Sequence, residues 1–218
     1  MQRGVAFDLD GTLVDSIADI GHALNCALVT EALPTFDVAR VRTWVGDGPD
    51  GTIRRALAAL NIEDPDDERR ARLRAAYDVA ALAAPLDHGR LFPGVTELLA
   101  TLAAERPLAV VTNKPTHLAR AVLDAAGIAH FFCSVHGADR RELRKPEPAM
   151  LFAAAEALRV QPAALRMVGD SAADLGAAAR AGCPAIFVEW GYGAADHTHL
   201  PVTRASSVPA LLKMLIAP

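Results

Sequence analysis

Two aspartates stand two residues apart near the start of the chain, in Phe7-Asp8-Leu9-Asp10-Gly11-Thr12-Leu13-Val14-Asp15-Ser16. They follow Gly4-Val5-Ala6-Phe7, a short apolar run of the kind that forms a buried strand. At strand spacing, residues i and i+2 point to the same side, so Asp8 and Asp10 converge. Adjacent carboxylates repel, and such a pair calls for a cation, a shared proton or several donors. Gly11-Thr12 adds a tight turn, a hydroxyl and free N–H groups, which suit a phosphate or a metal-bound water. The alternative is a strand-to-helix loop in which the acids cap the helix.

Three later segments carry residues of matching chemistry. Thr112-Asn113-Lys114-Pro115 places a hydroxyl and an amide beside a helix start, either as a phosphate cradle or as an ordinary N-cap. Lys145, in Arg144-Lys145-Pro146-Glu147-Pro148, offers a mobile point charge to an anion, or is a solvated loop lysine. In Gly169-Asp170-Ser171-Ala172-Ala173-Asp174 the two acids are four apart, on one face of a beginning helix. Acids in a first turn also serve simply as dipole partners.

The elements that must bring these residues together follow from the apolar spacing. Residues 16–84 read as helical, with Ile17, Ile20, Leu24 and Leu28 at helix spacing up to Pro34. A second helix is expected over 50–60 and a third from 66 to 82. Residues 85–94 are rich in turn formers and read as a linker. Beyond them, strands at 108–111, 131–135, 165–168 and 185–188 alternate with helices at 117–126, 149–158, 175–181 and 208–215. That alternation implies βαβ units and a parallel sheet, an α/β fold. Ligands of such sheets sit beyond the carboxyl ends of the strands. Asp8, Thr112 and Asp170 fall at three such ends, and the inserted helical block emerges at the same edge.

The ten-residue opening string, followed in order by the other three segments, resembles the four motifs of the haloacid dehalogenase superfamily over essentially the whole chain. The resemblance implies a Rossmann-like parallel-sheet core (residues 1–15 and 89–218) interrupted by a helical cap (residues 16–88). It implies Asp8 as a phosphorylated nucleophile and Asp10 as acid and base, lending its backbone carbonyl to a metal. Thr112, with Asn113, would hold the transferring phosphoryl group, and Lys145 would neutralise charge. Asp170 would ligate Mg²⁺ directly, while Asp174 would ligate through water or orient its neighbours. Four acids with hard oxygens suit Mg²⁺ as the cofactor.

The second acid of Asp-x-Asp argues against a dehalogenase, and a binding protein of this fold would be expected to lack a motif acid. A phosphomutase remains the other reaction class. The Asn-Lys-Pro continuation resembles the phosphoglycolate phosphatase branch, so the expected substrate is a small phosphorylated metabolite, first of all 2-phosphoglycolate. The rivals are sugar phosphates, an amino-sugar 6-phosphate and pyrophosphate. Trp44-Val45-Gly46-Asp47-Gly48 and Arg54 would meet the substrate's other end, unless they are a helix connection and a solvated arginine.

Composition excludes other classes. The chain has 218 residues, 52% hydrophobic, much of it alanine, so close helix packing must build the core. A formal net charge of −4 and the lack of a basic tract argue against nucleic acid. Three scattered cysteines, Cys26, Cys133 and Cys183, suggest a reducing cytoplasm rather than a disulfide framework. No targeting peptide or membrane span is expected, and a monomer or homodimer would suffice. His88 reads as a hinge residue and Asp196-His197-Thr198-His199 as a surface loop. Glu189-Trp190-Gly191-Tyr192-Gly193 resembles the family's tail segment, and no chemistry is assigned to it.

Overall fold

The computed structural model describes residues 3–62, 67–193 and 203–217, so Asp196-His197-Thr198-His199 lies outside the described residues. Strand β1 (Gly4–Phe7) lies inside a six-stranded sheet. On one side are β4 (Leu108–Thr112) and then β5 (Ser134–Gly137); on the other are β6 (Leu165–Gly169), β7 (Ala185–Val188) and β8 (Thr203–Ala205). All five pairings are parallel, with Phe7 opposite Val110 on one side and Val168 on the other.

The period-two alternation of the strands sorts their side chains into two cores. Val5, Phe7, Leu108, Val110 and Val168 pack with α5 (Val95–Ala103), α6 (Thr116–Ala125) and α9 (Val208–Ile216). Ala6, Ala109, Val111, Leu165 and Met167 pack with α7 (Ala149–Ala157) and α8 (Ala172–Ala181). This second core is alanine-rich on both strands and helices, and small side chains let the layers approach closely. It is where the abundant alanine is used.

Four differences from the sequence reading have local causes. Residues 129–131 make a 3₁₀ turn, and the strand expected from 131 starts only at Ser134. Cys133 N–H, bonded to Leu108 O at 2.8 Å, is what brings the chain into register there. Helix α8 starts at Ala172 because Ser171 and Asp174 form a reciprocal capping box. Three-residue β8 is too short to show alternation, and α5 is a further helix, whose buried face is Val95, Leu98, Leu99 and Leu102.

The chain leaves the core through β2 (Val14–Asp15) into α1 (Ile17–Thr30), α2 (Val38–Arg42), α3 (Gly48–Ala59) and α4 (Asp67–Ala83). It returns through β3 (Arg90–Leu91). The supposed linker thus contains a strand: β3 pairs antiparallel with β2, Val14 opposite Leu91 and Asp15 opposite Arg90. Two-residue strands leave no pattern to read. The helices bury a third core that includes Ile20, Leu24, Leu28, Trp44, Leu57, Leu73 and Tyr77, which Leu118 of α6 joins. Asp19, buried in α1, accepts the His88 backbone N–H at 2.8 Å and ties the outgoing segment to the returning one.

Candidate active site

β1, β4 and β6 end side by side, and each delivers a polar side chain at its carboxyl end. Asp8 continues β1, its N–H bonded to Val168 O at 2.9 Å. Asp170 follows β6, and Asp174 lies in the first turn of α8. These three buried carboxylates place oxygens within 4.8 Å of one another. Lys145 Nζ reaches them from beneath, 2.8 Å from Asp8 Oδ1 and 2.6 Å from Asp174 Oδ1, and donates also to Val111 O at 2.9 Å. Burial pushes the Asp8 carboxyl up to about 7, against the pull of Lys145 and with help from Asp174 and Asp170. Burial likewise raises Asp170 to about 6, with Asp174 adding to it. Burial opposes the charge of Lys145, but Asp174 and Asp8 outweigh it and hold the ammonium well above the usual lysine range.

Such a cluster fits a small hard cation. Asp8 Oδ1 is buried with only the Lys145 ammonium beside it, at 2.8 Å and off hydrogen-bond geometry, and the cluster's donor set is all carboxylate oxygen. Asp174 is already engaged: Oδ1 takes the Lys145 ammonium, and Oδ2 accepts Ser171 N–H at 3.0 Å and Ser171 O–H at 2.5 Å. Of the two roles expected for Asp174, orientation of its neighbours is the one this geometry favours.

The tail segment, to which no chemistry was assigned, holds Asp170 in place. Tyr192 and Gly193 donate backbone N–H bonds to Asp170 Oδ2 at 2.7 and 3.2 Å, and Thr12 O–H donates to Oδ1 at 3.1 Å. A side chain on Gly193 would collide with Asp170 O, so only glycine lets the backbone come this close. Trp190 Nε1 donates to Thr12 O at 3.1 Å, and Tyr192 O–H donates to Asp15 Oδ1 at 2.9 Å. The signal in the sequence was Gly-Tyr-Gly two residues beyond a buried strand.

Above the carboxylates lies a cavity of about 80 Å³ lined from both sides. The core supplies Asp8, Asp10, Thr112 and Lys114; the helical block supplies Ile20, Val45, Gly46, Gly48, Thr52 and Tyr77. Asp10 turns its carboxylate away from the other three. It accepts Ser16 O–H at 2.5 Å, and Lys114 Nζ sits 2.8 Å from each of its oxygens. Nothing in the sequence pointed to this role for Lys114, because its partner Asp10 lies 104 residues earlier in the chain. Among the described residues lining this cavity it is the one cation.

Asn113 was expected to bind substrate, but its amide is occupied. Nδ2 donates to Gly46 O at 2.8 Å and to Lys145 O at 3.2 Å, and Oδ1 accepts Lys145 N–H at 2.7 Å. It locks the Gly46 turn to the loop that carries Lys145. Arg54 is not brought to the cavity at all. Two residues past Thr52 on α3, it points about 200° round the helix. Its side chain is 72% exposed, 4.0 Å from Asp47. The Gly46–Gly48 turn, by contrast, does line the cleft: Gly48 has φ +72° and presses its backbone on Asn113 O.

Among the described residues no helix is long and apolar enough to cross a membrane. A haloacid dehalogenase-like hydrolase profile matches residues 2–182. The chain is 40% identical to the phosphoglycolate phosphatase of Pectobacterium atrosepticum over 192 residues, 87% of this chain and 81% of that one. It is 36% identical to the phosphoglycolate phosphatase of Escherichia coli K12, over 99% of this chain and 93% of that one. The crystal structure of a predicted phosphoglycolate phosphatase from Haemophilus somnus superposes with a TM-score of 0.86 at 30% identity, covering 98% of both chains. CbbY from Rhodobacter sphaeroides shares the fold, with a TM-score of 0.81 at 24% identity and 95% coverage of both chains. With its parallel sheet, its strand-end carboxylates and these relatives, the chain belongs to the haloacid dehalogenase-like hydrolase family and is a phosphoric monoester hydrolase.

Proposed function

We propose that this enzyme is a Mg²⁺-dependent phosphatase of 2-phosphoglycolate, working through a phosphorylated Asp8. We further propose that residues 1–15 and 89–218 act as its core and residues 16–88 as its cap. The observation that carries the substrate reading is Lys114, the one cation among the described residues lining a cleft of about 80 Å³. A single water already needs at least about 10–15 Å³ of such space, so this cleft suits a compact ester rather than a hexose. A carboxylated ester needs a cation at its far end, and Lys114 Nζ is placed to exchange Asp10 for that carboxylate. The named function of the Pectobacterium and E. coli relatives supports the same substrate.

Phosphate monoesters need acceleration of up to ~10²¹-fold. General acid–base catalysis supplies only about 10²–10⁴ of it. The remainder falls to a covalent step and to fixed charges. In this mechanism an Asp8 oxygen attacks phosphorus in line, and the glycolate oxygen leaves with a proton from Asp10. Asp10 then takes a proton from the water that attacks the acyl phosphate, releasing phosphate and restoring Asp8. Lys145 neutralises Asp8 and the transferring group, with Asp174 holding the ammonium in place. Thr112 Oγ1 accepts Lys114 N–H at 3.2 Å, so its own proton is left to donate to a phosphoryl oxygen. Mg²⁺, held by the Asp8 and Asp170 carboxylates and the Asp10 carbonyl, would neutralise charge on the phosphoryl oxygens.

Metal binding has a readout apart from turnover. Mg²⁺ at about ten times its Kd should stabilise the fold by ~1.4 kcal/mol, a melting shift of about 3–6 °C. Asp170→Asn should remove most of that shift. A full shift in the variant would take Asp170 out of the metal site.

The substrate reading is tested by kcat/KM in a panel of 2-phosphoglycolate, hexose phosphates, amino-sugar 6-phosphates and pyrophosphate. A tenfold preference for a sugar phosphate, about 1.4 kcal/mol, would overturn the substrate and leave the phosphatase intact. Hexose 1-phosphate converted to 6-phosphate without free phosphate would overturn both. Lys114→Met should raise KM for 2-phosphoglycolate about 10–100-fold, the worth of one charge-assisted hydrogen bond. For 2-hydroxyethyl phosphate, which lacks the carboxylate, KM should move less than about threefold on the same reasoning. Any fall in kcat from the lost partner of Asp10 is common to both substrates. Equal changes in KM would show that Lys114 does not read the carboxylate.

A further inference from the structure

A second cavity, about 560 Å³ and separate from the cleft, opens where α3 and α4 meet residues 138–144. Six arginines and two aspartates line it, in a chain whose net charge is −4; just outside the lining, Asp78 pairs with Arg74 at 2.9 Å and Asp47 lies 4.0 Å from Arg54. The arginines come equally from both walls. Asp50 is shared between Arg74 of α4, at 2.7 Å, and Arg144 of the core, so one carboxylate ties the two walls together. Asp139 is engaged elsewhere, by Thr116 N–H and O–H, both at 2.8 Å. Arg144 Nε is buried without a hydrogen-bond partner. Arg140 and Arg141 are exposed, and their side chains make no hydrogen bond or ion pair with the described residues. Arg54, turned away from the cleft, faces this cavity instead.

We propose that this cavity is a second anion site, which takes a compact polyphosphate bridging the α3–α4 wall to the 138–144 wall. Guanidinium forks bind phosphate oxygens bidentately, and clustered arginines that repel one another gain most from a ligand carrying several charges. The volume lies in the range of small-ligand sites and is sevenfold that of the cleft. Each wall also runs directly into the cleft. Gly48 and Pro49 line the cleft just before Asp50, and Arg144 precedes Lys145, whose ammonium lies 2.8 Å from the cleft residue Asp8. A ligand holding both walls therefore makes them harder to separate and slows any turnover step that needs their separation. The proposal does not depend on which ester the cleft hydrolyses.

The test is calorimetric titration of metal-free protein with inorganic tripolyphosphate at fixed salt. Wild type and Asp8→Asn should bind alike, with a Kd below about 100 µM, or about −5.5 kcal/mol. Arg140→Glu/Arg141→Glu on the core wall and Arg54→Glu on α3 should each weaken binding at least tenfold. The core-wall double variant should keep wild-type phosphatase activity without tripolyphosphate. No measurable binding, binding that survives either charge reversal, or binding displaced by excess inorganic phosphate in proportion to cleft occupancy would overturn the proposal.

Discussion

Asp8→Asn should lower phosphatase turnover by ~10⁴-fold or more, the scale on which removal of a nucleophile acts. The amide has the shape of the carboxylate but cannot form the acyl phosphate, and no other carboxylate of the cluster occupies the end of β1. The fold should survive, because Asp8 N–H and its neighbours keep their ladder bonds. Stability in chelator should in fact rise. Burial holds the folded Asp8 carboxyl near 7, above its unfolded value of 3.8, so the wild type carries a cost that grows as pH rises between those values. Asparagine carries none. The difference in melting temperature, variant minus wild type, should therefore widen from about pH 4 to about pH 7 and then level off. Turnover near wild type would remove Asp8 from the nucleophile role.

Lys145→Met should damage both chemistry and fold. The ammonium is 2% exposed at its side chain and Asp174 is fully buried, so the substitution leaves carboxylates without their cation. Breaking one side of such a buried pair costs about 3–5 kcal/mol. In a chain of this size that is a melting drop of roughly 6–20 °C. Adding Asp174→Asn to the variant should recover much of the stability, because the orphaned charge is gone. Turnover should not return, since nothing then neutralises the phosphoryl group. Recovery of both by the double variant would mean that Lys145 serves the fold alone. Retention of stability by the single variant would mean that Asp174 finds its charge balance elsewhere.

How much of this was legible in the chain depended on the range of the forces involved. The strands were legible where they were buried on both faces, since Leu108-Ala109-Val110-Val111 and Ala185-Ile186-Phe187-Val188 are apolar throughout. The short strands β2, β3 and β8 were not, because they exist only through pairing with distant residues. Arg54 shows the limit most sharply. Its proximity in sequence to the Gly46–Gly48 turn suggested a place in the cleft, but two residues of helix turn it to another cavity. Lys114 is the converse, an unremarked neighbour of Thr112 whose ammonium folding brings onto Asp10.

The sequence by itself determined the chemistry available: two acids at strand spacing, a second pair one helical turn apart and a hydroxyl, each behind an apolar run, and a lysine in a proline-rich charged segment. Residue type and local periodicity are enough for that, because they are properties of a few consecutive residues. Tertiary structure alone decided which groups share a charge and which are occupied. It paired Asp10 with Lys114 and Asp174 with Lys145, engaged the Asn113 amide in holding the Gly46 turn, and set the Tyr192 and Gly193 N–H groups on Asp170. Those outcomes rest on contacts of about 3 Å between segments dozens of residues apart. A carboxylate's charge state follows from burial and from its nearest neighbours in space, and neither is written in the order of the chain.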